Sequence, residues 1–405
     1  MYWLSIVILI YIFIALYFFF FFILIYLKNR ESMYTCPKLT RNYKVSVVIP
    51  CYNEEDCICG TINAVLSSTY PIEKVFVVND GSTDRTAEIV EKLARKNKKI
   101  ILLNKKNGGK ADSLNYALKF VKTELVAIVD SDSYPDKDAL EKTIGFFDNP
   151  RVGVATCAVL ARNKSKFMEK LQAVEYTVIA WTRKLLGYLN AIYVTPGPLA
   201  IYRTNVIKKL GFDTKNMTED IEATWHLTSE GWRREMCLAA RVTTITPSTF
   251  KGWYNQRVRW NMGGIQTINK YKHLFLKGGM LGCFILPYFV LSLIMGLVGL
   301  SIFFYLFFRR VIFSYISTKL SLGIGVPVIT VDQLYMTPNV LNFLGLAMLI
   351  LGTFFTILGL SVMEERELRN RNIFNLAFYL LIYLTIYPFI MPVAIYRLVK
   401  KDLRW

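Results

Sequence analysis

The chain is apolar at its two ends and polar in its middle. Residues 2–27 form an apolar run without a charged side chain, long enough to cross a lipid bilayer as a helix. Three further apolar runs, residues 280–308, 340–362 and 373–396, also have the length of membrane spans. This pattern predicts membrane helices on both sides of a water-soluble region.

The number of spans in the C-terminal part depends on residues 311–331. This run is apolar but contains Lys319, two glycines and Pro327, so it fits a fourth span, a re-entrant segment or an external loop. Basic residues near the C-terminal end, among them Arg397 and Lys401, favour a cytoplasmic C-terminus. A cytoplasmic C-terminus requires four C-terminal spans, and the sequence leaves three or four open.

The middle region alternates strand-like and helix-like segments. Three short β-branched runs, residues 45–50, 75–79 and 125–129, end at polar side chains, and helix-like stretches 86–96 and 110–120 lie between them. Buried strands that alternate with amphipathic helices indicate a mostly parallel sheet flanked by helices, an α/β fold with right-handed crossovers. Ligands bind such sheets at the carboxyl ends of the strands, where the polar clusters lie.

These patterns divide the chain into four regions. We expect an N-terminal transmembrane helix in residues 1–28, an α/β domain in 43–265, an interfacial segment in 266–278 and a C-terminal transmembrane region in 279–400. Lys28 and Arg30 directly follow the first apolar run. The positive-inside rule then places the α/β domain in the cytoplasm of a multi-pass protein of the cell membrane.

Composition narrows the class of protein. The 405 residues include 49 Lys and Arg against 30 Asp and Glu, a net charge of +19. Anionic lipid head groups and diphosphate substrates explain this excess, and no basic stripe interleaved with stacking aromatics indicates a nucleic-acid partner. The seven cysteines form no CxxC pair and there are only two histidines, so neither a zinc site nor a Ser-His-Asp triad is expected.

Six polar segments carry candidate chemistry. In chain order they contain Asp80 in NDGSTD, Lys110 in NGGKADSLN, Asp130 and Asp132 in DSD, Gly197 and Pro198 in GPL, Glu219 and Asp220 in TED, and Gln256, Arg259 and Trp260 in QRVRW. Taken singly, each segment is an ordinary turn, helix cap or interface anchor. Their order, at strand ends and directly before membrane spans, favours one shared active site.

The residue types indicate chemistry at a diphosphate. Asp130 and Asp132 offer the hard oxygen ligands that Mg²⁺ or Mn²⁺ prefers when it also binds phosphate oxygens. Two glycines followed by Lys110 at a helix N-terminus suit a diphosphate, and Arg259 adds a second cation. These groups together would neutralise a departing diphosphate.

A sugar carried on that diphosphate would need only one base to deprotonate the incoming hydroxyl. This scheme is a single displacement with inversion, unlike glycoside hydrolysis, which requires two carboxylates. Asp220 is the candidate base, with Glu219 beside it as the other candidate catalytic residue of TED. Trp260 offers a flat face on which an acceptor sugar could stack.

The combination of TED with QxxRW resembles the processive family 2 glycosyltransferases, which include hyaluronan, cellulose, poly-N-acetylglucosamine and chitin-oligosaccharide synthases. The resemblance covers about residues 45–264 and the flanking spans, and it includes the opening PCYNEE at residues 50–55. A single span before the domain, residues 2–27, is similar to the arrangement in chitin-oligosaccharide synthases.

The resemblance implies a GT-A glycosyltransferase domain and a role for each segment. The uridine would be held by Pro50, Tyr52, Glu54 and Asp80, and the diphosphate by Lys110 and Asp130. Asp132 would bind the Mg²⁺ or Mn²⁺ ion, and the acceptor would contact Gly197 and Pro198. Asp220 would be the base, and both substrates would be covered by Gln256, Arg259 and Trp260. Amphipathic helices within residues 167–187 and 249–277 would lie at the membrane surface. The spans would form the path of the growing chain.

The expected function is inverting, processive polymerisation of a UDP-sugar, UDP-N-acetylglucosamine first, into an extracellular β-linked polysaccharide that passes across the membrane. The partners would be the donor, a growing glycan or lipid acceptor and membrane lipids, with a homo-oligomer left open. One alternative is a non-processive enzyme that adds one sugar to a lipid, as ceramide glucosyltransferases do. Another is an inactive scaffold, against which the complete set of acids argues.

Overall fold

The computed structural model describes residues 2–324, 340–364 and 373–400, and it contains one eight-stranded sheet. The strands are β1 (Val45–Cys51), β2 (Lys74–Asn79), β3 (Ile100–Asn104), β4 (Leu125–Ile128), β5 (Ser133–Pro135), β6 (Val152–Ala161), β7 (Ala200–Arg203) and β8 (Arg233–Thr244). They lie in the order β3-β2-β1-β4-β7-β6-β8-β5. The predicted strands at residues 45–50, 75–79 and 125–129 are therefore confirmed to within a residue.

The half of the sheet formed by β3, β2, β1 and β4 is wholly parallel. Strand β7 runs antiparallel to both β4 and β6, β8 pairs parallel with β6, and β5 pairs antiparallel with β8. Every residue of β1 is buried, because helices of the parallel crossovers cover both faces of the sheet. The mostly parallel α/β fold predicted from the sequence is confirmed.

Helices surround the sheet and extend beyond it. They are α1 (Tyr2–Asn29), α2 (Ile58–Leu66), α3 (Thr86–Lys96), α4 (Lys110–Leu118), α5 (Ala139–Ile144), α6 (Phe167–Tyr188), α7 (Thr204–Leu210), α8 (Glu219–Ser229), α9 (Phe250–Tyr271), α10 (Leu286–Ile324), α11 (Val340–Val362), α12 (Ile373–Phe378) and α13 (Leu384–Val399). The π-helical turn Leu281–Ile285 precedes α10, and a second one, Tyr379–Tyr383, joins α12 to α13.

Helices α6 and α9 connect the sheet to the apolar helices. Helix α6 packs on β6 and also on α1 and α11, where the ring of Trp181 lies 4.5 Å from that of Phe355. Helix α9 packs along α13. The sequence placed helices within residues 167–187 and 249–277, and both exist; their location at a membrane surface stays a prediction.

Among the described residues, four helical segments are long and apolar enough to cross a membrane. They are Leu4–Ser32, Leu281–Ile324, Phe343–Val362 and Phe374–Val399. Three of them follow the α/β domain within the described parts of the chain. The spans predicted at residues 2–27, 280–308, 340–362 and 373–396 therefore correspond to helices of suitable length and composition.

Residues 311–331, for which the sequence left several structures open, are helical up to residue 324. Residues 311–324 continue helix α10 and form neither a separate span nor a loop, since no proline occurs between Pro287 and Pro327. Residues 325–331 lie outside the described residues. At about 1.5 Å per residue, the 44-residue segment exceeds a bilayer core of roughly 30 Å, so one crossing would use only part of it.

Candidate active site

The loops after β1 and β2 leave the same edge of the sheet and bind each other. Cys51 lies opposite Asn79 in the register of these parallel strands. Beyond them, the Thr83 backbone N–H donates to Asn53 Oδ1 at 2.8 Å and the Glu55 N–H donates to Asp84 Oδ2 at 3.1 Å. These contacts join the predicted PCYNEE and NDGSTD segments into one surface.

Two predicted uridine-binding residues lie very differently on this surface. The side chain of Tyr52 is 49% exposed, which leaves its ring open to a flat ligand. Pro50 instead lies inside β1, opposite Val78, and is buried. Pro50 therefore shapes the end of the strand, and its side chain does not extend into the loop surface.

Asp80 organises the glycine turn that follows β3. Its buried carboxylate accepts backbone hydrogen bonds from Gly108 at 3.0 Å and Gly109 at 2.7 Å. The Lys105 amine donates to the same carboxylate at 2.5 Å. Asp80 thus fixes the NGG turn and with it the start of α4, a role that the sequence did not predict.

Lys110, the first residue of α4, brings three predicted segments together. Its Nζ lies 2.6 Å from Asp130 Oδ1 of DSD and 2.8 Å from Glu219 Oε1 of TED. Burial acts to lower the pKa of Lys110, but the charges of Asp130 and Glu219 outweigh it and raise that pKa above its ordinary value. The amine therefore stays charged at the centre of the acids.

The backbone of the GPL segment lies directly against the ion pair of Lys110 and Asp130. A Cβ added at Gly197 would meet Asp130 Oδ1 at 2.5 Å and Lys110 Nζ at 2.6 Å. Only glycine leaves room for both charged groups at this point. Pro198 is buried next to it, so the structure brings GPL to the site, with Gly197 as the residue that touches it.

Three carboxylates crowd the edge of the sheet near Lys110. Burial, followed by the charge of Asp132, raises the pKa of Glu54 to about 7. Burial and the charge of Asp130 likewise raise the pKa of Asp132, whose Oδ1 accepts from the Ser133 and Thr244 hydroxyls at 3.1 and 3.2 Å. Carboxylates that raise one another's pKa in this way favour an added cation.

The donor set fits a divalent cation that also binds phosphate. Within residues 2–324, 340–364 and 373–400, no group of three His, Cys, Asp or Glu side chains is arranged to hold a metal ion. Mg²⁺ needs no such cage, because it is usually held by one or two carboxylates, by substrate phosphates and by water. Asp132, with Asp130 beside it, supplies ligands of that kind.

The two acids of TED have opposite shifts. Burial and the charge of Glu219 raise the pKa of Asp220 to about 6. Glu219 is also buried, but its contact with Lys110 outweighs burial and lowers its pKa. A carboxylate with a pKa near 6 is a suitable general base at neutral pH, so Asp220 has the properties expected of the base and Glu219 those of a fixed anion.

Helix α9 carries QRVRW and packs directly against TED. A Cβ added at Gly263 would meet Thr218 Oγ1 at 2.0 Å, so the two segments touch at this glycine. The charge of Arg259 contributes to the lowered pKa of Glu219. The guanidinium of Arg257 lies 4.0 Å from the centre of the Trp260 ring, which is half-buried.

The structure thus brings together nearly all the predicted segments. Gln256 joins them as an acceptor for Arg257 Nη1 at 2.6 Å. Sequence reasoning missed Lys105, Glu175 and Arg257, which contact predicted site residues or each other. Arg257 lies within QRVRW and could have been noticed, whereas nothing in the sequence links it to Glu175.

The α/β domain, its cluster of acids around Lys110 and the raised pKa of Asp220 are those expected of a group-transfer enzyme of the GT-A type. A match to the protein family described as Glycosyltransferase like family 2 covers residues 42–263, more than half of the chain. The chain belongs to this family, and it is a glycosyltransferase. The resemblance inferred from TED and QxxRW is thereby confirmed, as is the enzyme class.

Two curated relatives are similar to part of the chain. Poly-beta-1,6-N-acetyl-D-glucosamine synthases of Staphylococcus aureus strain MSSA476 and Staphylococcus epidermidis are each 32% identical over 227 residues. The alignments cover 55% of this chain and 55% of each relative, so the chain spans about half the length of the curated relatives it matches.

A solved structure has the same fold. The mannosyltransferase from Pyrobaculum calidifontis, in complex with GDP-Man and Mn²⁺, superposes with a TM-score of 0.54 over 67% of this chain and 75% of its own. The two sequences are 23% identical. This likeness supports the GT-A fold alone.

The contact between TED and α9 leads to the first prediction. Gly263→Ala should displace Thr218 and the TED acids and lower kcat for glycosyl transfer by at least about tenfold, because small displacements of catalytic groups are costly. Gly264→Ala is the matched control, since a Cβ there would meet nothing within 4 Å. Equal kcat values for the two variants would show that this contact does not position TED.

The shifted carboxylate leads to the second prediction. The base acts only when it is deprotonated, and the pKa of Asp220 is raised to about 6. At saturating donor, kcat should therefore fall as pH drops below about 6, by about tenfold per unit. Donor binding measured calorimetrically over the same pH range serves as the control. A kcat that stays constant down to pH 5 would rule out a base with this pKa.

Proposed function

We propose that this protein is a membrane-embedded, inverting and processive glycosyltransferase that polymerises a UDP-sugar into an extracellular β-linked polysaccharide. The observation that carries the proposal is the Lys110 amine, which lies between Asp130 at 2.6 Å and Glu219 at 2.8 Å. This contact joins Lys110, the acids of DSD and the acids of TED around a single small space, which supports a shared donor site.

The donor proposed first is UDP-N-acetylglucosamine. Support comes from the names of the relatives, which are synthases of poly-beta-1,6-N-acetyl-D-glucosamine. The exposed Tyr52 ring and the surface formed by Asn53 and Thr83 would receive the uridine. Glu54, whose raised pKa reflects its buried position near Asp132, lines the same surface.

Lys110 and Arg259 would bind the diphosphate of the donor. Asp132, helped by Asp130, would hold a Mg²⁺ or Mn²⁺ ion, which when bound neutralises charge on the diphosphate as it leaves. Asp80 fixes the NGG turn through the N–H groups of Gly108 and Gly109 and so sets where α4 begins. The positive end of α4 then favours phosphate oxygens beside Lys110.

Asp220 would take the proton from the acceptor hydroxyl. The hydroxyl oxygen forms a bond to the anomeric carbon as the bond from that carbon to the diphosphate oxygen breaks, so UDP leaves and the configuration inverts. Glu219 stays ionised because Lys110 lowers its pKa, and its charge helps to keep the pKa of Asp220 high enough for proton transfer. One base is sufficient for this reaction.

The acceptor would bind over Trp260 and Gly197 at the side of the domain that faces the apolar helices. Helix α9, which carries Trp260, packs on α13, and α6 packs on α1 and α11. We propose that residues 43–265 form the cytoplasmic catalytic domain, that residues 266–278 lie at the membrane surface and that the four candidate spans cross the membrane. The polysaccharide would leave between these spans.

The proposed base leads to the third prediction. Asp220→Asn keeps the size of the side chain but cannot accept the proton, so transfer should fall by about 10² to 10⁴-fold while donor binding is retained. Asp138→Asn is the control, because Asp138, the residue before α5, pairs with Lys142 and is partly exposed to solvent. Calorimetric donor binding and UDP release measure the two effects. Unchanged turnover in Asp220→Asn would remove this residue as the base.

Product size tests the proposed function as a whole. Purified protein in lipid vesicles with Mn²⁺ or Mg²⁺ should release UDP from UDP-N-acetylglucosamine and form a product of high molecular weight on a gel. A product with a single sugar attached to lipid would contradict the proposal and assign the protein to the lipid glycosyltransferases.

Trp260→Ala should raise KM for a sugar acceptor more than KM for the donor.

A further inference from the structure

A buried ion pair joins the two helices that connect the sheet to the apolar helices. Arg257 of α9 donates from Nε to Glu175 Oε1 of α6 at 3.2 Å and from Nη2 to Glu175 Oε2 at 2.5 Å. Arg257 is 1% exposed and Glu175 is 4% exposed. The contact is therefore a two-pronged, water-excluded pair, the strongest geometry for an arginine and a carboxylate.

Two tyrosines of the last candidate span complete this pair. Tyr383 Oη donates to Glu175 Oε2 at 2.5 Å, and Tyr387 Oη donates to Glu175 Oε1. Tyr387 Oη also accepts from Arg257 Nε at 2.7 Å. The ring of Tyr383 packs 4.9 Å from that of Trp253 on α9. Glu175 thus receives hydrogen bonds from α9 and from the last span at the same time.

The other side of Arg257 faces the candidate acceptor site. Its Nη1 donates to Gln256 Oε1 at 2.6 Å, and its guanidinium lies 4.0 Å from the centre of the Trp260 ring. Trp260 in turn lies 6.4 Å from the ring of Tyr176, the neighbour of Glu175 on α6. Arg257 therefore contacts two of the three predicted QxxRW residues and the last span through one side chain.

We infer that Glu175 is a positioning residue for acceptor transfer: through Arg257 it fixes Gln256 and Trp260 relative to Tyr383 and Tyr387 of the last candidate span. The inference rests on the proposed function and deepens it. Glu175 does not touch the substrates; it determines where the acceptor platform lies with respect to the helix along which the product would leave.

The energetics of buried charge support a positioning role over a purely stabilising one. An ion pair inside a protein loses hydration on both sides, and apolar residues of similar size often stabilise a fold at least as well. A fully hydrogen-bonded network holds its members in one geometry. Here that geometry includes the face of Trp260, on which the proposed acceptor stacks.

The test compares acceptor and donor kinetics in full-length protein in lipid vesicles. Glu175→Gln and Tyr383→Phe each remove part of the network, and both should raise KM for an N-acetylglucosamine oligosaccharide by about tenfold and shorten the product. KM for UDP-N-acetylglucosamine and slow hydrolysis of the donor by water should stay near the wild-type values. Equal changes in the two KM values would overturn the inference.

Tyr379→Phe is the matched control for the tyrosine variant. Tyr379 lies one turn before Tyr383, and the two rings are stacked with centres 5.4 Å apart. Glu175 receives its tyrosine hydrogen bonds from Tyr383 and Tyr387, so the network does not use the Tyr379 hydroxyl. Tyr379→Phe should leave both KM values unchanged; a rise equal to that of Tyr383→Phe would contradict the role of the network.

A double variant separates positioning from folding. Glu175→Leu combined with Arg257→Met replaces the pair with apolar side chains, so no buried charge is left without a partner. The thermal midpoint and donor hydrolysis should remain close to wild type while KM for the oligosaccharide stays raised. Recovery of a wild-type acceptor KM in this variant would show that the pair serves only to stabilise the fold.

The wild-type protein reports separately on the proposed function. A wild-type product with one sugar on a lipid would overturn polymer synthesis, and the same variants would then be compared by their KM for that lipid acceptor. A selective rise in that KM would still support the positioning role of Glu175, and its absence would overturn it. Failure of the inference and failure of the proposed function are therefore distinct outcomes.

Discussion

The site depends on one half-buried cation, the amine of Lys110. It is surrounded by carboxylates that come from DSD and from TED, segments 89 residues apart in the chain if counted from Asp130 to Glu219. Without that amine, Asp130, Glu219 and Asp220 would repel one another in a space that is only partly open to water. The fold supports the amine closely: Asp80 fixes the turn before it, and Gly197 lets the backbone pass directly over it.

The Lys110 amine also helps to separate the pKa values of two adjacent acids, Glu219 and Asp220. Glu219 touches it and keeps a lowered pKa, while Asp220 lies within reach of its charge but makes no ion pair with it in the described structure, and its pKa is raised to about 6. Pairs of acids whose pKa values are separated by their surroundings are a common basis for acid–base chemistry. Helix α9 then places QRVRW against this pair, and the network around Glu175 ties α9 to the last candidate span.

Much of the architecture and most candidate site residues could be predicted from the sequence. The β-branched runs identified three strands of the parallel sheet, and TED with QxxRW identified the family. The sequence could not show that Asp80 binds the NGG turn, or that Arg257 pairs with Glu175, 82 positions away. Such contacts depend on which helix packs on which, and hydrophobic periodicity indicates a buried face without naming its neighbour. For the same reason, the exposed position of Tyr52 and the buried one of Pro50 emerged only from the fold.

The central claim is that Lys110, DSD and TED form one donor site. Electron cryomicroscopy of the protein in lipid nanodiscs, with UDP-N-acetylglucosamine and Mn²⁺ bound to the inactive Asp220→Asn variant, tests it most directly. The account predicts the diphosphate in contact with the Lys110 amine, the metal on Asp132, and the anomeric carbon facing residue 220. A nucleotide bound away from Lys110, or a sugar that faces away from residue 220, would contradict it.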